Sequence, residues 1–141
     1  MTMQVGEMMT RDVVTCSPDE ALSQVAQKMD SRNIGSCPVV ENDRLIGIIT
    51  DRDITTRAVA NGLDPGLTHV RQVMTTDVII GNPTMCCHEA SQLMSDNQIR
   101  RLPIVEYDRM VGIVSLANLA IDLEEEHLVA ETLVKISQPS C

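Results

Sequence analysis

The sequence predicts an α+β (mixed α/β) protein made of two βαββα motifs packed as a pseudo-twofold pair. Two observations predict this fold. A shift of 65 residues lays the chain on itself without a gap, with fifteen identities over the 46 positions 9–54. Each copy also shows the same order of apolar runs at strand or helix spacing, separated by polar turns. Two small, similar halves gain buried surface by packing together, so the repeat indicates the architecture.

The first copy begins with a predicted strand and helix. Residues 12–16, DVVTC, form a short β-branched run typical of a strand. Residues 17–20, SPDE, have a cap serine, a proline at the first helical position and a glutamate at the third. They predict a helix that begins at Pro18. Its apolar face is expected to contain Ala21, Leu22, Val25, Ala26 and Met29.

A hairpin and a second helix complete the motif. The runs CPVV and LIGII, joined by the polar residues 41–44, predict the hairpin, and a helix follows Thr50 until GLDPG at 62–66 breaks it. In the second copy the first strand is predicted at 77–81 and the last helix over 116–136, with three glutamates at 124–126. The predicted boundaries are 6–62 and 74–123 for the motifs, 63–73 for the linker and 124–141 for a C-terminal helical extension.

Composition excludes several function classes. The net charge is −9, the pI is about 4.6, and Tyr107 is the only aromatic residue, so nucleic-acid binding is not expected. The sequence has no apolar run long enough to span a bilayer and no signal-peptide pattern, which predicts a cytoplasmic protein without membrane contact. Five cysteines without C-x-x-C spacing argue against a zinc site. Neither a catalytic triad nor a glycine-rich phosphate loop stands out, so no catalytic residue is predicted.

The segment from Thr50 to Asp53, TDRD, admits two interpretations. In the first, Thr50 caps a helix and Asp53 completes a variant of the capping box. In the second, the helix start and the Thr50 hydroxyl hold a phosphate, while the Asp53 carboxylate accepts both hydroxyls of a ribose. The second interpretation includes the first, because a capped helix start can also bind a nucleotide.

Two strings in register resemble the cystathionine β-synthase (CBS) domain family. The matching residues are MT at 9–10, IGSCPVV at 34–40 and GIITDRD at 47–53, then MT at 74–75, IRRLPIV at 99–105 and GIVS at 112–115. The layout resembles stand-alone bacterial proteins with two CBS domains, among them hypoxic and stress response proteins. The resemblance implies a regulatory module that binds AMP, ADP, ATP, NAD(H) or S-adenosylmethionine, needs no obligatory cofactor and commonly dimerises.

The resemblance also implies two clefts in which the hydroxyl–carboxylate motif of one repeat faces the other repeat. One competent site and one degenerate site are predicted. The competent site would contain Thr50, Asp53, Val78, Ile80, Ile99, Arg100 and Arg101. The degenerate site would contain Val13, Thr15, Ile34, Gly35, Ser36, Ser115 and Asn118.

The two predicted sites differ in the charge of their side chains. Asn118 replaces the ribose carboxylate and cannot accept from two hydroxyls as a carboxylate does. Arg100 and Arg101 replace Gly35 and Ser36 of the first copy, and guanidinium groups suit phosphate oxygens. The alternative for each arginine is a pairing with a surface carboxylate.

Cysteine positions suggest a second function. Cys16 ends the first predicted strand and Cys37 begins the next, so a redox-dependent disulfide could join them. Cys86 and Cys87 align with the apolar helix face and are expected to be buried. The leading hypothesis is a non-enzymatic adenine-nucleotide sensor, homodimeric, that acts on an effector protein. The alternative is a ligand-free structural or thiol-redox stress-response protein that acts through partner binding.

Overall fold

The structure is a computed structural model that describes residues 3–119 of the 141-residue chain. Two predictions lie outside the described residues, namely the C-terminal extension at 124–141 with its three glutamates and most of the last helix. Residues 116–119, the first turn of that helix, are helical as predicted. None of the described helices is long and apolar enough to cross a membrane.

Helices and strands follow one another in the same order in both repeats. Their mixture confirms the predicted α+β class. Two two-stranded sheets form, one from β1 and β2 and one from β3 and β4. The elements are α1 (Val5–Met8), α2 (Leu22–Arg32), β1 (Ser36–Glu41), β2 (Arg44–Thr50), α3 (Asp51–Asp53), a π-helix (Ile54–Val59), α4 (Val70–Val73), α5 (Cys87–Asp96), β3 (Arg101–Glu106) and β4 (Arg109–Ser115).

The chain divides into two compact units. The first-repeat unit contains residues 14–78 and 108–110, and the second-repeat unit contains, of the described residues, 3–13, 79–107 and 111–119. The N-terminal segment 3–13 therefore belongs with the second repeat rather than with the first. The boundaries drawn from the repeat stay a prediction.

The core of the first-repeat unit lies between α2 and the β1–β2 hairpin. Apolar residues of α2 recur at helical spacing, so one face of the helix is buried and the other is solvated. Two valines of α4 close this core from the linker side. Each fully buried aliphatic side chain contributes roughly 1.5–3 kcal/mol to stability. The central buried residues are Leu22, Val25, Met29, Val39, Ile49, Val70 and Val73.

The core of the second-repeat unit has the same plan. Residues of α5 pack on the β3–β4 hairpin, and α1 adds Val5. Cys86 and Cys87 are each 2% exposed, which confirms the prediction that both are buried. The other central residues are Met9, Ala90, Met94, Leu102, Ile104, Val114 and Leu119.

The predicted first strand at 12–16 was wrong. Only Cys16 pairs there, in a parallel bridge to Val39. The Cys16 N–H donates to the Pro38 carbonyl at 3.0 Å, and the Val40 N–H donates to the Cys16 carbonyl at 2.9 Å. The next ladder bond would need an N–H at position 38 for the Val14 carbonyl, and proline has none. Pro38 therefore limits the pairing to one bridge.

The strand predicted at 77–81 was wrong for the same reason. Gly81 forms a single parallel bridge to Ile104. The Gly81 N–H donates to the Pro103 carbonyl at 2.9 Å, and the Val105 N–H donates to the Gly81 carbonyl at 2.9 Å. Pro103 occupies the position of Pro38 in the repeat, so it ends the ladder at the same place.

The predicted start of the first helix was also wrong, because α2 begins at Leu22 rather than at Pro18. Residues 18–20 instead supply backbone carbonyl acceptors to the first N–H groups of α4. The Pro18 carbonyl accepts the Arg71 N–H and the Glu20 carbonyl accepts the Val70 N–H, both at 2.9 Å. These bonds hold the SPDE segment as a turn, since the first N–H groups of a helix need acceptors from outside it.

Candidate functional site

The segment from Thr50 to Asp53 is a capped helix start at the end of β2. The Asp53 N–H donates to Thr50 Oγ1 at 3.0 Å, and the Thr50 N–H donates to Asp53 Oδ2 at 3.1 Å. The two side chains thus satisfy each other's backbone amides, as in a capping box. The cap interpretation of the motif is therefore correct, and the ligand interpretation stays a prediction.

The backbone amides of this helix start already have acceptors. The Asp51 N–H donates to the Gly35 carbonyl at 2.9 Å, and the Arg52 N–H donates to Asp51 Oδ1 at 2.8 Å. With the Asp53 N–H bound to Thr50, the first three amides of the helix are satisfied within the protein. The amides therefore differ from the exposed anion site that the sequence suggested. The Thr50 hydroxyl donates to no acceptor among the described residues.

Asp53 is the central side chain of this region. It is 8% exposed and, among residues 3–119, the only buried side chain that carries a carboxylate. The Thr75 hydroxyl lies 3.3 Å from Oδ2 and 3.5 Å from Oδ1. Arg57 Nε lies 3.7 Å from Oδ1. A buried carboxylate is expensive unless donors surround it, and these groups supply them.

The two oxygens of Asp53 differ in how fully they are used. Oδ2 accepts from the Thr50 amide and the Thr75 hydroxyl. The neighbours of Oδ1 stand at 3.5 and 3.7 Å, longer than an ordinary hydrogen bond. A carboxylate has about four acceptor positions, so Oδ1 keeps capacity for further donors.

Arg57 joins Asp53 to the end of α4. Its Nη1 donates to the carbonyls of Val73 at 3.1 Å and Met74 at 3.3 Å. Carbonyls at a helix C-terminus lack intrahelical partners, so a guanidinium group is well placed there. Arg57 lies in the π-helix that follows α3, a rare conformation that often occurs near functional sites.

Thr75 is fixed to β2 by its backbone. Its N–H donates to the Ile48 carbonyl and its carbonyl accepts the Ile48 N–H, both at 2.8 Å. Gly47 permits this close approach. A Cβ at position 47 would lie 2.8 Å from Met74 Sδ and 2.9 Å from the Thr75 carbonyl oxygen.

The second repeat contains the same cap without the charge. The Asn118 N–H donates to Ser115 Oγ at 3.1 Å, and the Ser115 N–H donates to Asn118 Oδ1 at 3.3 Å. The Ser115 hydroxyl also donates to Asn118 Oδ1 at 2.5 Å. The amide oxygen of Asn118 is therefore occupied within its own motif.

Arg100 and Arg101 lie where β3 begins. The Arg100 carbonyl accepts the Leu116 N–H at 2.7 Å, so this position adjoins the Ser115 helix start of the same unit. Arg100 is exposed and Arg101 is partly buried. Neither guanidinium forms an ion pair or a side-chain hydrogen bond with any residue in the range 3–119. The alternative of a surface carboxylate partner is thus absent from the described part of the chain.

The remaining predicted residues are distributed over both units. In the first-repeat unit, Ser36 pairs with Thr50 in the β1–β2 register. Ile80 is 47% exposed, and Ile99 is partly buried at the end of the turn after α5. The pairings across the two repeats that the resemblance implied stay predictions. Partly buried in addition are Val13, Thr15, Ile34 and Val78, and Gly35 is exposed.

The thiols of Cys16 and Cys37 are neighbours inside the first-repeat unit. Cys16 is 3% exposed and Cys37 is fully buried. The hydrogen bond between the two thiols, together with burial, raises the pKa of Cys16. The same bond lowers the pKa of Cys37, because it stabilises the thiolate there. Cys37 Sγ also lies 3.4 Å from the Val14 carbonyl, the acceptor that Pro38 leaves without a ladder bond.

Sequence reasoning missed Thr75 and Arg57. Thr75 was part of the repeated MT pair, but nothing in the sequence connected it to Asp53. Arg57 stands four residues after Asp53, a spacing that places both on one helix face and could have indicated the pair. Within the described residues, no group of three or more histidine, cysteine or acidic side chains could hold a metal ion.

Comparison with known proteins identifies the fold family. The CBS domain family model matches residues 5–59 and 70–125. The CBS domain-containing protein YhcV of Bacillus subtilis is 44% identical over 133 residues, which cover 94% of each chain. Hypoxic response protein 1 of Mycobacterium tuberculosis is 31% identical over 134 residues, 94% of this chain and 93% of that protein.

A solved structure agrees with the sequence relatives. The crystal structure of hypoxic response protein I, which contains two coordinated zinc ions, has a TM-score of 0.77 and 31% identity to this chain. The match covers 84% of this chain and 97% of that one. The family match, the two sequence relatives and this structure agree with one another, and the chain therefore belongs to the CBS domain family, of which it carries two copies.

Proposed function

We propose that this chain is a regulatory sensor that binds an adenosine-containing ligand, with Asp53 as the acceptor of the ribose hydroxyls. The observation that carries the proposal is the buried Asp53 carboxylate, whose Oδ1 keeps acceptor capacity. Pairs of CBS domains generally bind adenosine-containing ligands as regulatory modules, which supports the same class of ligand. The ligand class includes AMP, ADP, ATP, NAD(H) and S-adenosylmethionine.

The ribose assignment follows from the donor and acceptor balance. The two ribose hydroxyls can both donate to one carboxylate, because an ionised carboxylate offers only acceptors. A bond from a hydroxyl to a charged oxygen is roughly twice as strong as a neutral one. Asp53 has the geometry for this role, since Thr50 and Thr75 occupy Oδ2 and leave Oδ1 for the ligand.

Phosphate groups require separate donors. The backbone amides of the helix start are occupied, so the Thr50 hydroxyl and the guanidinium groups of Arg100 and Arg101 are the proposed donors. Both arginines lack partners among the described residues, which leaves their charge available. Aliphatic residues would contact the base. The proposed apolar contacts are Val78, Ile80 and Ile99.

The second site is proposed to be degenerate. Asn118 is neutral, and its amide oxygen already accepts from Ser115. The positions that would supply its phosphate donors hold Gly35 and Ser36, which carry no charge. We therefore expect one nucleotide for each chain. We also propose that the protein is a homodimer without catalytic activity that signals through an effector protein.

Calorimetry tests the proposed function. The unmodified protein is titrated with AMP, ATP, NADH and S-adenosylmethionine, and at least one titration is expected to show saturable binding with one ligand for each chain. Arg101→Ala is expected to weaken ATP binding several-fold and to reduce its dependence on salt. Arg109→Ala, an exposed arginine on β4, is the matched control and should leave the affinity unchanged. Absence of binding by all four ligands would refute the proposal.

The contact between Cys16 and Cys37 favours a second candidate function, a thiol switch. Hydrogen peroxide is the proposed oxidant. The Cys37 thiolate attacks one peroxide oxygen, the O–O bond breaks, and a sulfenic acid and hydroxide form. The Cys16 sulfur then displaces water from the sulfenic acid, which forms the disulfide. Two thiols lose two electrons and two protons, and peroxide is reduced to water.

The thiol switch has its own test. Wild-type protein is treated with hydrogen peroxide, and peptide mass spectrometry should find a Cys16–Cys37 disulfide that dithiothreitol reverses. Cys16→Ser serves as the control and should stop at Cys37 sulfenic or sulfinic acid. Both thiols are buried, so oxidation is expected to be slow in the folded protein. If Cys16 and Cys37 stay reduced while other cysteines are oxidised, the switch is refuted.

A further inference from the structure

We infer that Thr75 is a positioning residue of the ligand site, which orients the Asp53 carboxylate so that Oδ1 faces the ribose. The inference rests on the proposed function and adds a residue that the TDRD motif does not contain. It also assigns Arg57 a supporting part in holding the same carboxylate.

The geometry of Thr75 suits this part. Its hydroxyl lies 3.3 Å from Oδ2 of Asp53, and its backbone is bound on both sides to Ile48 at 2.8 Å. Ile48 lies in β2, two residues before Thr50. The donor is therefore anchored to the strand that carries the motif, and the carboxylate has a fixed partner on its far oxygen. Together with the Thr50 amide at 3.1 Å, the Thr75 hydroxyl restrains the orientation of the Asp53 carboxylate.

Arg57 restrains the other edge of the carboxylate. Its Nε lies 3.7 Å from Oδ1, while its Nη1 is bound to the carbonyls of Val73 and Met74. Because the guanidinium group is held by the end of α4, it cannot move onto Oδ1 without breaking those bonds. Oδ1 thus has a nearby positive charge and a vacant acceptor position at once.

The same contact connects two parts of the proposed site. Thr75 precedes Val78 by three residues, and Val78 is a proposed base contact in the same unit. The bond from Thr75 to Asp53 therefore links the proposed ribose acceptor to the segment that carries the proposed base contact. Loss of this bond should reduce recognition of the ribose more than total affinity.

The second repeat lacks this arrangement. Thr10 is the counterpart of Thr75, and its backbone pairs with Ile113 in the same way. Its hydroxyl makes no hydrogen bond within residues 3–119, and its motif offers Asn118 rather than a carboxylate. Asp122 stands at the sequence position that matches Arg57. The positioning contact is therefore a property of the first repeat.

The test compares Thr75→Val with Thr75→Ser. Valine keeps the shape and removes the hydroxyl, while serine keeps the hydroxyl. The probes are ATP and 2′-deoxy-ATP, and the readout is the ratio of their dissociation constants. Wild-type protein is expected to prefer ATP by about tenfold, the value of one hydrogen bond to a charged group. Thr75→Val should bring the ratio within about twofold of unity, and Thr75→Ser should restore the preference.

Each outcome decides between distinct failures. If the wild type binds none of AMP, ATP, NADH and S-adenosylmethionine, the proposed function is refuted and this inference with it; if it binds one of these other than ATP, that ligand and its 2′-deoxy analogue are the probes. An unchanged ratio in Thr75→Val, or equal losses for both probes, would refute the inference alone, because a purely structural residue affects both probes alike. If Thr75→Val does not fold, Arg57→Met is measured against Arg57→Lys with the same ratio. An unchanged ratio in Arg57→Met would then count against the inference.

Discussion

The two repeats have the same capped helix start and differ in its charge. In the first, Thr50 and Asp53 exchange amide bonds, and in the second, Ser115 and Asn118 do the same. The Asn118 cap shows that the fold needs an oxygen acceptor at this position and no negative charge. The buried charge of Asp53 therefore exceeds what the helix start requires.

The surroundings of the two motifs explain how the charge is tolerated. Asp53 has a hydroxyl from Thr75 and a guanidinium group from Arg57 within 3.7 Å. Asn118 has its acceptor filled by Ser115. Oδ1 of Asp53, whose neighbours lie at 3.5 and 3.7 Å, keeps acceptor capacity, and this supports the proposed ribose contact.

The largest loss of stability is expected from substitution of the two glycines that pack against the Met-Thr pairs at 9–10 and 74–75. In Gly47→Ala the new Cβ would lie 2.9 Å from the Thr75 carbonyl, and in Gly112→Ala it would lie 2.9 Å from the Thr10 carbonyl. Backbone must move in both, so each variant should lose about 1–3 kcal/mol of stability in urea denaturation. Gly47→Ala should also weaken ATP binding, because it displaces Thr75, while Gly112→Ala should not.

Equal affinities in the two glycine variants would contradict this difference between the repeats. Gly66→Ala is a suitable control, since its Cβ would meet only Asp64 Oδ1 at 3.4 Å. That variant should keep both the stability and the affinity of the wild type.

The next effect concerns the charge itself. Asp53→Asn makes the first motif like the second, and it should weaken ATP binding about ten- to hundredfold, because the charged acceptor is lost. Asn118→Asp is the reciprocal change and should leave the affinity within about twofold of the wild type, because Gly35 and Ser36, at the positions proposed to supply its phosphate donors, carry no charge. Calorimetry of both variants measures this. A comparable loss in the two variants would show that the repeats are equivalent.

The sequence predicted the fold well and the site in part. The 65-residue repeat and its turn residues indicated the hairpins, the π-helical segment as a helix, and the buried face that contains Leu22 and Val25. The first strands were wrong because Pro38 and Pro103 remove one ladder donor each. That loss depends on which residues face each other, and the one-dimensional pattern does not contain this information.

The start of α2 and the contacts of Asp53 with Thr75 and Arg57 could not be predicted from the sequence for a related reason. Residues 18–20 look like a capping box, yet α4 takes their carbonyls, and α4 is fifty residues further along the chain. Thr75 is distant from Asp53 in sequence as well. Local motifs predicted local contacts, such as the Thr50–Asp53 cap, and missed contacts that depend on tertiary packing.

The repeats are also expected to differ in how the stability of the fold depends on pH. Cys16 has a raised pKa in the folded protein, and its counterpart is Gly81, which does not titrate. A raised pKa contributes stability below the unfolded value of 9.0, and this contribution is lost as pH rises above 9.0. The lowered pKa of Cys37 contributes stability that is already complete above 9.0.

As pH rises from 9 to 10, the free energy of unfolding of the wild type should therefore fall relative to that of the double variant Cys16→Ala/Cys37→Ala, because the unfolded Cys16 thiol ionises while the folded one stays protonated. Urea denaturation at both pH values, with reductant present, measures the difference. Parallel pH profiles for the two proteins would contradict the assignment.

The smallest expected effect lies in the hairpin turns, where the two repeats share a backbone and differ in a side chain. Asn42 and Tyr107 both have φ 53°, in the left-handed region, which costs asparagine less free energy than tyrosine. Tyr107 is 91% exposed, so its replacement removes little packing. Tyr107→Asn should stabilise the protein by about 0.5–1 kcal/mol, and Asn42→Tyr should destabilise it by a similar amount.

Thermal melts of the two variants and of the double exchange measure this. The double exchange should restore the wild-type melting temperature, since the strain moves from one turn to the other. If Tyr107→Asn instead lowers stability, the exposed ring makes a contribution that the strained backbone does not explain.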